Sequence, residues 1–178
     1  MCIRDRGNIV IAFQFNRAYD FNYSSAVIEI DNKYGSIDRK GKYIIAPTYD
    51  LIHNFEFYIT PVLLGDKWGY IDTTGKLIVP IVYDWAKNFK EGYGVVTVRR
   101  NKCENRPNSL LLEKIKCKEK IGFADITGHV TMTKYNYAKD FKDGYSRVFK
   151  TPWWKLRWNY NIDWKKIDKN FIETDIKE

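Results

Sequence analysis

Short β-prone runs alternate with polar turns along this chain, in a recurring order. Trp68 to Asp72 and Lys76 to Val79 are two such runs, rich in aromatic and β-branched residues. Between them lies Asp72-Thr73-Thr74-Gly75, and the same place is taken by Asp38-Arg39-Lys40-Gly41 and Asp125-Ile126-Thr127-Gly128. An aspartate opening a turn bonds the backbone two residues on, and a glycine at the fourth position takes a positive φ without steric cost. The pattern predicts a hairpin. A segment of the form YDWAKNFKEGY follows, with turn residues and a small side chain at Ala18, Ala86 and Ala138. It leads into a third apolar strand, expected over Ala26 to Ile30, Val95 to Val98 and, more weakly, Ser146 to Phe149. No sustained 3.6-residue period appears, so helix is disfavoured.

The period is 34 residues: Gly7, Gly41 and Gly75 keep that spacing, and so do Phe21, Phe55 and Phe89. Written out, KYGSIDRKGKYIIAPTYDLIHNF from Lys33, KWGYIDTTGKLIVPIVYDWAKNF from Lys67 and KIGFADITGHVTMTKYNYAKDF from Lys120 match at many positions, the last being one residue shorter before Tyr135. GNIVIAFQFNRAYDF from Gly7 is an earlier partial unit. Fully extended, one unit would span about 110 Å, so a compact one folds back into about three strands. A unit that small cannot bury its own apolar face, and stacking on neighbours supplies the core. The recurring aromatic positions (Tyr34 and Trp68; Phe21, Phe55, Phe89 and Phe141; Tyr49, Tyr83 and Tyr135) are the natural packing residues of that stack, with sugar- or base-stacking platforms as the sharper alternative. The expected fold class is all-β: tandem antiparallel hairpin or three-stranded repeats of ~34 residues, stacked as an open solenoid-like array, with a partial β-propeller as the alternative.

The stretch KWGYIDTTGKLIVPIVYDWAKNFKEGYGVVTV resembles the WG repeat, also called the KWG repeat. The shared pattern is Trp-Gly, Tyr-Ile-Asp, a Gly-Lys turn, an apolar run ending in proline, Tyr-Asp, then Phe-x-Glu-Gly. The likeness covers about residues 7–150. The unit from Lys120 departs most, with Ile121 for Trp, Ala124 for Ile and no proline after Gly128. The unit from Lys33 has Tyr34 for Trp and lacks the Glu-Gly after Phe55. The resemblance implies a β-rich, mostly bacterial protein with an interaction or surface role, and it supplies no catalytic residue.

Charge and chain ends change the picture locally. Residues 1–6, MCIRDR, read as a non-native sequencing-adapter scar, because the recognisable pattern starts at Gly7, part-way through a unit. On that reading the native start lies upstream and export cannot be judged. The array then runs over 7–150, as a partial unit 7–30, units 31–64, 65–98 and 119–150, and an insertion 99–118. Gly75 to Gly128 is 53 residues, 19 more than the period. Of the chain's net charge of +8, residues 99–120 carry +5, so the basic character is local. Arg99, Arg100 and Lys102 are candidate contacts for an acidic partner, against a solvated hairpin with no partner. Residues 151–178 hold four of the six Trp, and Trp164 with Ile167-Asp168 repeats the spacing of Trp68 with Ile71-Asp72. Residues 164–173 are expected to be a degenerate half-unit capping the stack, with a strand and short helix as the alternative. Trp153, Trp154 and Trp158 precede it, either as glycan or membrane-interface contacts or as cover for a sheet end.

Chemistry-bearing motifs are missing. No run of about 18 apolar residues occurs, so no helical membrane span is expected. Cys2 lies in the suspected scar, and Cys103 and Cys117 form either a disulfide or two free thiols within the insertion. His53 and His129 occupy different repeat positions. No phosphate loop, HExxH or GxSxG is present, and the recurring aspartates lack a second acidic ligand, so no metal or cofactor is expected. Gly41, Gly75, Gly128, Trp68, Phe21, Phe55, Phe89 and Phe141 are read as structural. The expected function is a non-enzymatic β-repeat scaffold binding protein or a surface polymer. A carbohydrate or cell-wall module using exposed aromatics is the alternative, and nucleic-acid binding by the basic insertion is a weaker third.

Overall fold

The computed structural model describes residues 3–5, 8–11, 14–99, 119–150 and 165–175. Strands β1 (Ile3–Asp5) and β2 (Asn8–Ile11) form a hairpin, and four four-stranded sheets follow. Sheet 1 comprises β3 (Arg17–Ala18), β4 (Ala26–Ile30), β5 (Lys33–Ile37) and β6 (Tyr43–Tyr49). Sheet 2 comprises β7 (Leu51–Ile52), β8 (Ile59–Leu64), β9 (Lys67–Asp72) and β10 (Leu77–Tyr83). Sheet 3 has β11 (Trp85–Ala86), β12 (Tyr93–Arg99), β13 (Glu119–Asp125) and β14 (Val130–Met132), and sheet 4 has β15 (Tyr137–Ala138), β16 (Tyr145–Phe149), β17 (Lys165–Asp168) and β18 (Glu173–Asp175). Each is an antiparallel meander in chain order; among the described residues no helix occurs and no strand pairing joins two sheets.

The all-β tandem-repeat reading holds, with two differences. Each sheet has a fourth strand, two residues long, inside the segment that reads as turn: Ala18 pairs with Ile28, Ile52 with Val62, Ala86 with Val96 and Ala138 with Val148. Two residues are too few to leave a periodic signature. The sheets are also out of phase with the sequence units, because the third strand of one unit pairs with the hairpin of the next. Leu64 of β8 faces Lys67 of β9, so sheet 2 straddles the boundary between residues 31–64 and 65–98.

The turn chemistry follows the sequence. Asp72 accepts hydrogen bonds from the backbone N–H groups of Thr74 (2.8 Å) and Lys76 (3.0 Å), and Asp38, Asp125 and Asp168 do the same in their turns. Gly75 closes the turn at φ 87°. The glycine of Trp-Gly has a different role. A Cβ at Gly69 would stand 2.6 Å from the Val79 carbonyl oxygen, beside a register shift in the β9–β10 ladder. Unit 119–150, which lacks one residue before Tyr135, pairs Gly122–Ala124 with Val130–Met132 in unbroken register.

Successive residues of a strand point to opposite faces, and here both faces are covered. Ile71 packs with Val27, Ile45 and Phe55 against sheet 1, whereas its neighbour Tyr70 packs with Phe89, Val96 and Ala124 against sheet 3. Val95 and Val96 divide likewise between the two cores flanking sheet 3. Corner aspartates lock the stack. Asp50 accepts from Lys33 of sheet 1 (2.6 Å) and from the Gly65 N–H of sheet 2 (2.7 Å); Asp84 accepts from Lys67 (2.7 Å) and the Arg99 N–H (2.6 Å).

The meander gives the array two edges. First-to-second and third-to-fourth turns lie at one, the turn edge; second-to-third turns and the aspartate corners lie at the other, the corner edge. Arg99 pairs with Glu119, so residues 100–118 join the second and third strands of sheet 3, where sheets 1 and 2 have Asp31-Asn32 and Gly65-Asp66. Val148 pairs with Lys165, so residues 151–164 fill the same connection in sheet 4. Both long segments leave from the corner edge.

Candidate functional site

At the turn edge, each first-to-second connection ends in a two-residue turn closed by reciprocal backbone bonds, as between Glu56 and Ile59 (3.0 Å each way). Such turns need positive φ at the first or at both central residues, which Asn-Gly or Asp-Gly supplies cheaply. Glu91-Gly92 and Asp143-Gly144 fit that requirement. Sheet 2 instead holds Phe57 at φ 52° and Tyr58 at φ 63°, and sheet 1 holds Tyr23 at φ 57°. An L-residue in this region costs roughly 1–2 kcal/mol. The bulky rings are not repaid by burial: Phe57 is 50% exposed and Tyr58 59%.

The rings gather into one surface. Tyr23 and Tyr58 lie with centroids 4.3 Å apart, crossing from sheet 1 to sheet 2, and the Tyr58 carbonyl accepts the Thr73 N–H (3.1 Å) from the neighbouring hairpin turn. Phe57, Tyr58, Ile59, Ile78 and Ile126 then line a groove of about 720 Å³ across sheets 2 and 3, with Ile126 58% exposed. Asp72, Glu91, Gly92 and Lys169 complete its rim.

The rim charges are largely engaged by the protein itself. Glu91 accepts from the Gly144 N–H (2.8 Å) and the Asp143 N–H (2.7 Å) of sheet 4, and Lys169 lies 3.7 Å away. These donors hold its carboxyl below the usual glutamate range. Asp72 is bound in its turn; burial pushes its carboxyl up, but the Thr74 and Lys76 donors outweigh that and leave it low. Alongside, Glu56 pairs with Lys90 (2.6 Å) and accepts from Asn88 (3.3 Å), while His53 Nδ1 sits 2.9 Å from Asn88 Oδ1. This chain of contacts ties sheet 2 to sheet 3.

Of the sequence-derived contact residues, Arg99 ends β12 at the corner edge, exposed and 3.2 Å from Glu119. Arg100, Lys102, Trp153, Trp154, Trp158, Cys2, Cys103 and Cys117 lie outside the described residues. Phe55, Phe89, Phe141 and Trp68 are buried in inter-sheet cores, Phe21 is half-buried under the Arg39 guanidinium (5.0 Å), and Gly41, Gly75 and Gly128 all close turns at positive φ. β17 and β18 form a hairpin, with Phe171 at φ 61° where the other hairpin turns have glycine. Its ring packs on Phe123 (5.8 Å) and Tyr93 (6.1 Å). Sequence reasoning missed Tyr23, Phe57, Tyr58 and Ile126. The available signal was the missing Glu-Gly after Phe55.

A family model described as WG containing repeat matches residues 1–34, 34–56, 68–103 and 121–151. The chain belongs to the WG-containing repeat family. No curated protein and no solved structure matches it. The WG-repeat matches leave out residues 57–67, so the aromatic turn lies where this chain departs from the family pattern. Among the described residues no three or more His, Cys, Asp or Glu side chains cluster to hold a metal ion, and no helix is long and apolar enough to cross a membrane.

Proposed function

We propose that this WG-repeat chain is a non-enzymatic scaffold that binds a protein or a surface polymer along its turn edge. The observation that carries the reading is the aromatic turn Phe57-Tyr58. Its rings are held exposed in a backbone conformation that the turns of sheets 3 and 4 fill with Glu-Gly and Asp-Gly. Exposed rings in a disfavoured conformation mark a surface kept for contact rather than for stability. The carboxylates support the same view, because Asp38, Asp72, Asp125, Asp50, Asp84 and Glu91 are each engaged by backbone N–H groups of the fold.

A carbohydrate- or cell-wall-binding module is the second reading, favoured by the Tyr23–Tyr58 ring pair as a stacking platform. A screen of the purified chain against a protein array and a polysaccharide panel tests the scaffold reading. Saturable binding to either is expected. Blank screens together with turnover of esterase, glycosidase or phosphatase substrates would sink it.

A further inference from the structure

Resting on the scaffold reading, we infer that the groove between sheets 2 and 3 is a peptide site that takes bulky, uncharged apolar side chains of a partner protein. Its walls supply the argument. Phe57, Tyr58, Ile78 and Ile126 present aromatic and aliphatic surface, and about 720 Å³ lies within the 300–1,000 Å³ range of ligand sites. A sugar ring needs several hydrogen-bonding partners beside its stacking face, since its hydroxyls lose water on binding. The rim offers few: Asp72 Oδ1 is taken up by its own turn, and Glu91 accepts from two N–H groups of sheet 4 with Lys169 beside it. Two carboxylates, Asp72 and Glu91, against the single Lys169 leave the rim slightly negative, which disfavours an anion or a nucleic acid. A cleft whose rim charges are largely held by the fold and whose walls are rings and isoleucines discriminates chiefly by apolar shape. Such clefts are where protein interfaces place their anchor side chains.

Selection from a phage-displayed random peptide library against the full chain tests this. Enriched peptides should share bulky apolar residues without a required charge. Their affinity should hold as salt is raised, because screening weakens only charge-based contacts. The variant Phe57→Asn/Tyr58→Gly/Ile126→Thr uses turn-compatible residues, so it is expected to fold with an undiminished thermal midpoint while binding about tenfold or more weakly. Asp66→Ala, at the opposite edge, should leave binding unchanged. Enriched peptides that bind the triple variant as well as the parent would overturn the groove assignment and leave the scaffold reading intact. Glycan-array binding lost in the triple variant would overturn it in favour of a carbohydrate. A library without enrichment, beside a positive protein-array screen, would overturn the peptide class; blank results throughout would remove the scaffold reading too.

Discussion

Phe57 and Tyr58 show at residue scale how a binding surface opposes stability. The double variant Phe57→Asn/Tyr58→Gly creates the preferred sequence for this turn. It relieves roughly 1–2 kcal/mol at Tyr58→Gly and less at Phe57→Asn, which remains an L-residue, and gives up an exposed ring contact worth about 0.5–1.5 kcal/mol. A net gain of about 1 kcal/mol is expected in denaturant melts, and a net loss would show that the rings stabilise the fold. Tyr70 is the opposite case. Its hydroxyl crosses into sheet 3 and donates to the Lys87 carbonyl (2.6 Å) through the space left by Gly94, where a Cβ would lie 2.5 Å from the phenolic oxygen. Sheets 2 and 4 satisfy the equivalent carbonyls from within, with Thr60 to His53 (2.7 Å) and Ser146 to Lys139 (2.6 Å). Gly94→Ala should therefore cost about 1–3 kcal/mol by overpacking, and Tyr70→Phe about 1–3 kcal/mol by orphaning a buried acceptor. Turn aspartates and glycines were legible in the sequence because their types have local rules. The Tyr70–Gly94 fit was not, since it joins residues of different units and neither type announces it.

At the scale of elements, the hairpins were readable and the sheets were not. A hairpin declares itself through its turn and two flanking runs. The short first strands and the phase of pairing depend on how one unit meets the next. The Tyr-Asp step of the repeat is that meeting point, because Asp50 and Asp84 hold one sheet's lysine and the next sheet's backbone. The Lys33 ammonium and then the Gly65 N–H hold the Asp50 carboxyl below 3.8. At Asp84, burial acts upward but is outweighed by Lys67 and the Arg99 N–H. With folded-state values below the unfolded one, the folded chain binds fewer protons at acid pH. Their contribution is complete at neutral pH and disappears as pH falls through 3.8 and below. Thermal midpoints should drop along that acid limb. Asp50→Asn/Asp84→Asn should lower stability at neutral pH and flatten the limb; an unchanged slope would show that the corners do not govern it.

For the whole molecule, alternation along each inner strand feeds two cores, so sheets 2 and 3 depend on neighbours at both faces. Phe89, fully buried between them, is the sharpest probe. Phe89→Ala should cost about 3–5 kcal/mol, and amide exchange should rise in both β9 and β12. Exchange confined to sheet 3 would contradict the shared core. The stacking of units followed from their small size, and the sequence carried that much. The position of the groove did not, because it is assembled from turns far apart in the chain. The fit of Tyr70 into Gly94 has an engineering consequence. Modules excised from this chain cannot be rejoined at will: if sheet 3 were deleted, Tyr70 would meet Ser146 in the place that Gly94 leaves open, and the phenol would lose the Lys87 and Val95 carbonyls it reaches. A shuffled array would succeed or fail by its junctions, whatever the quality of each module.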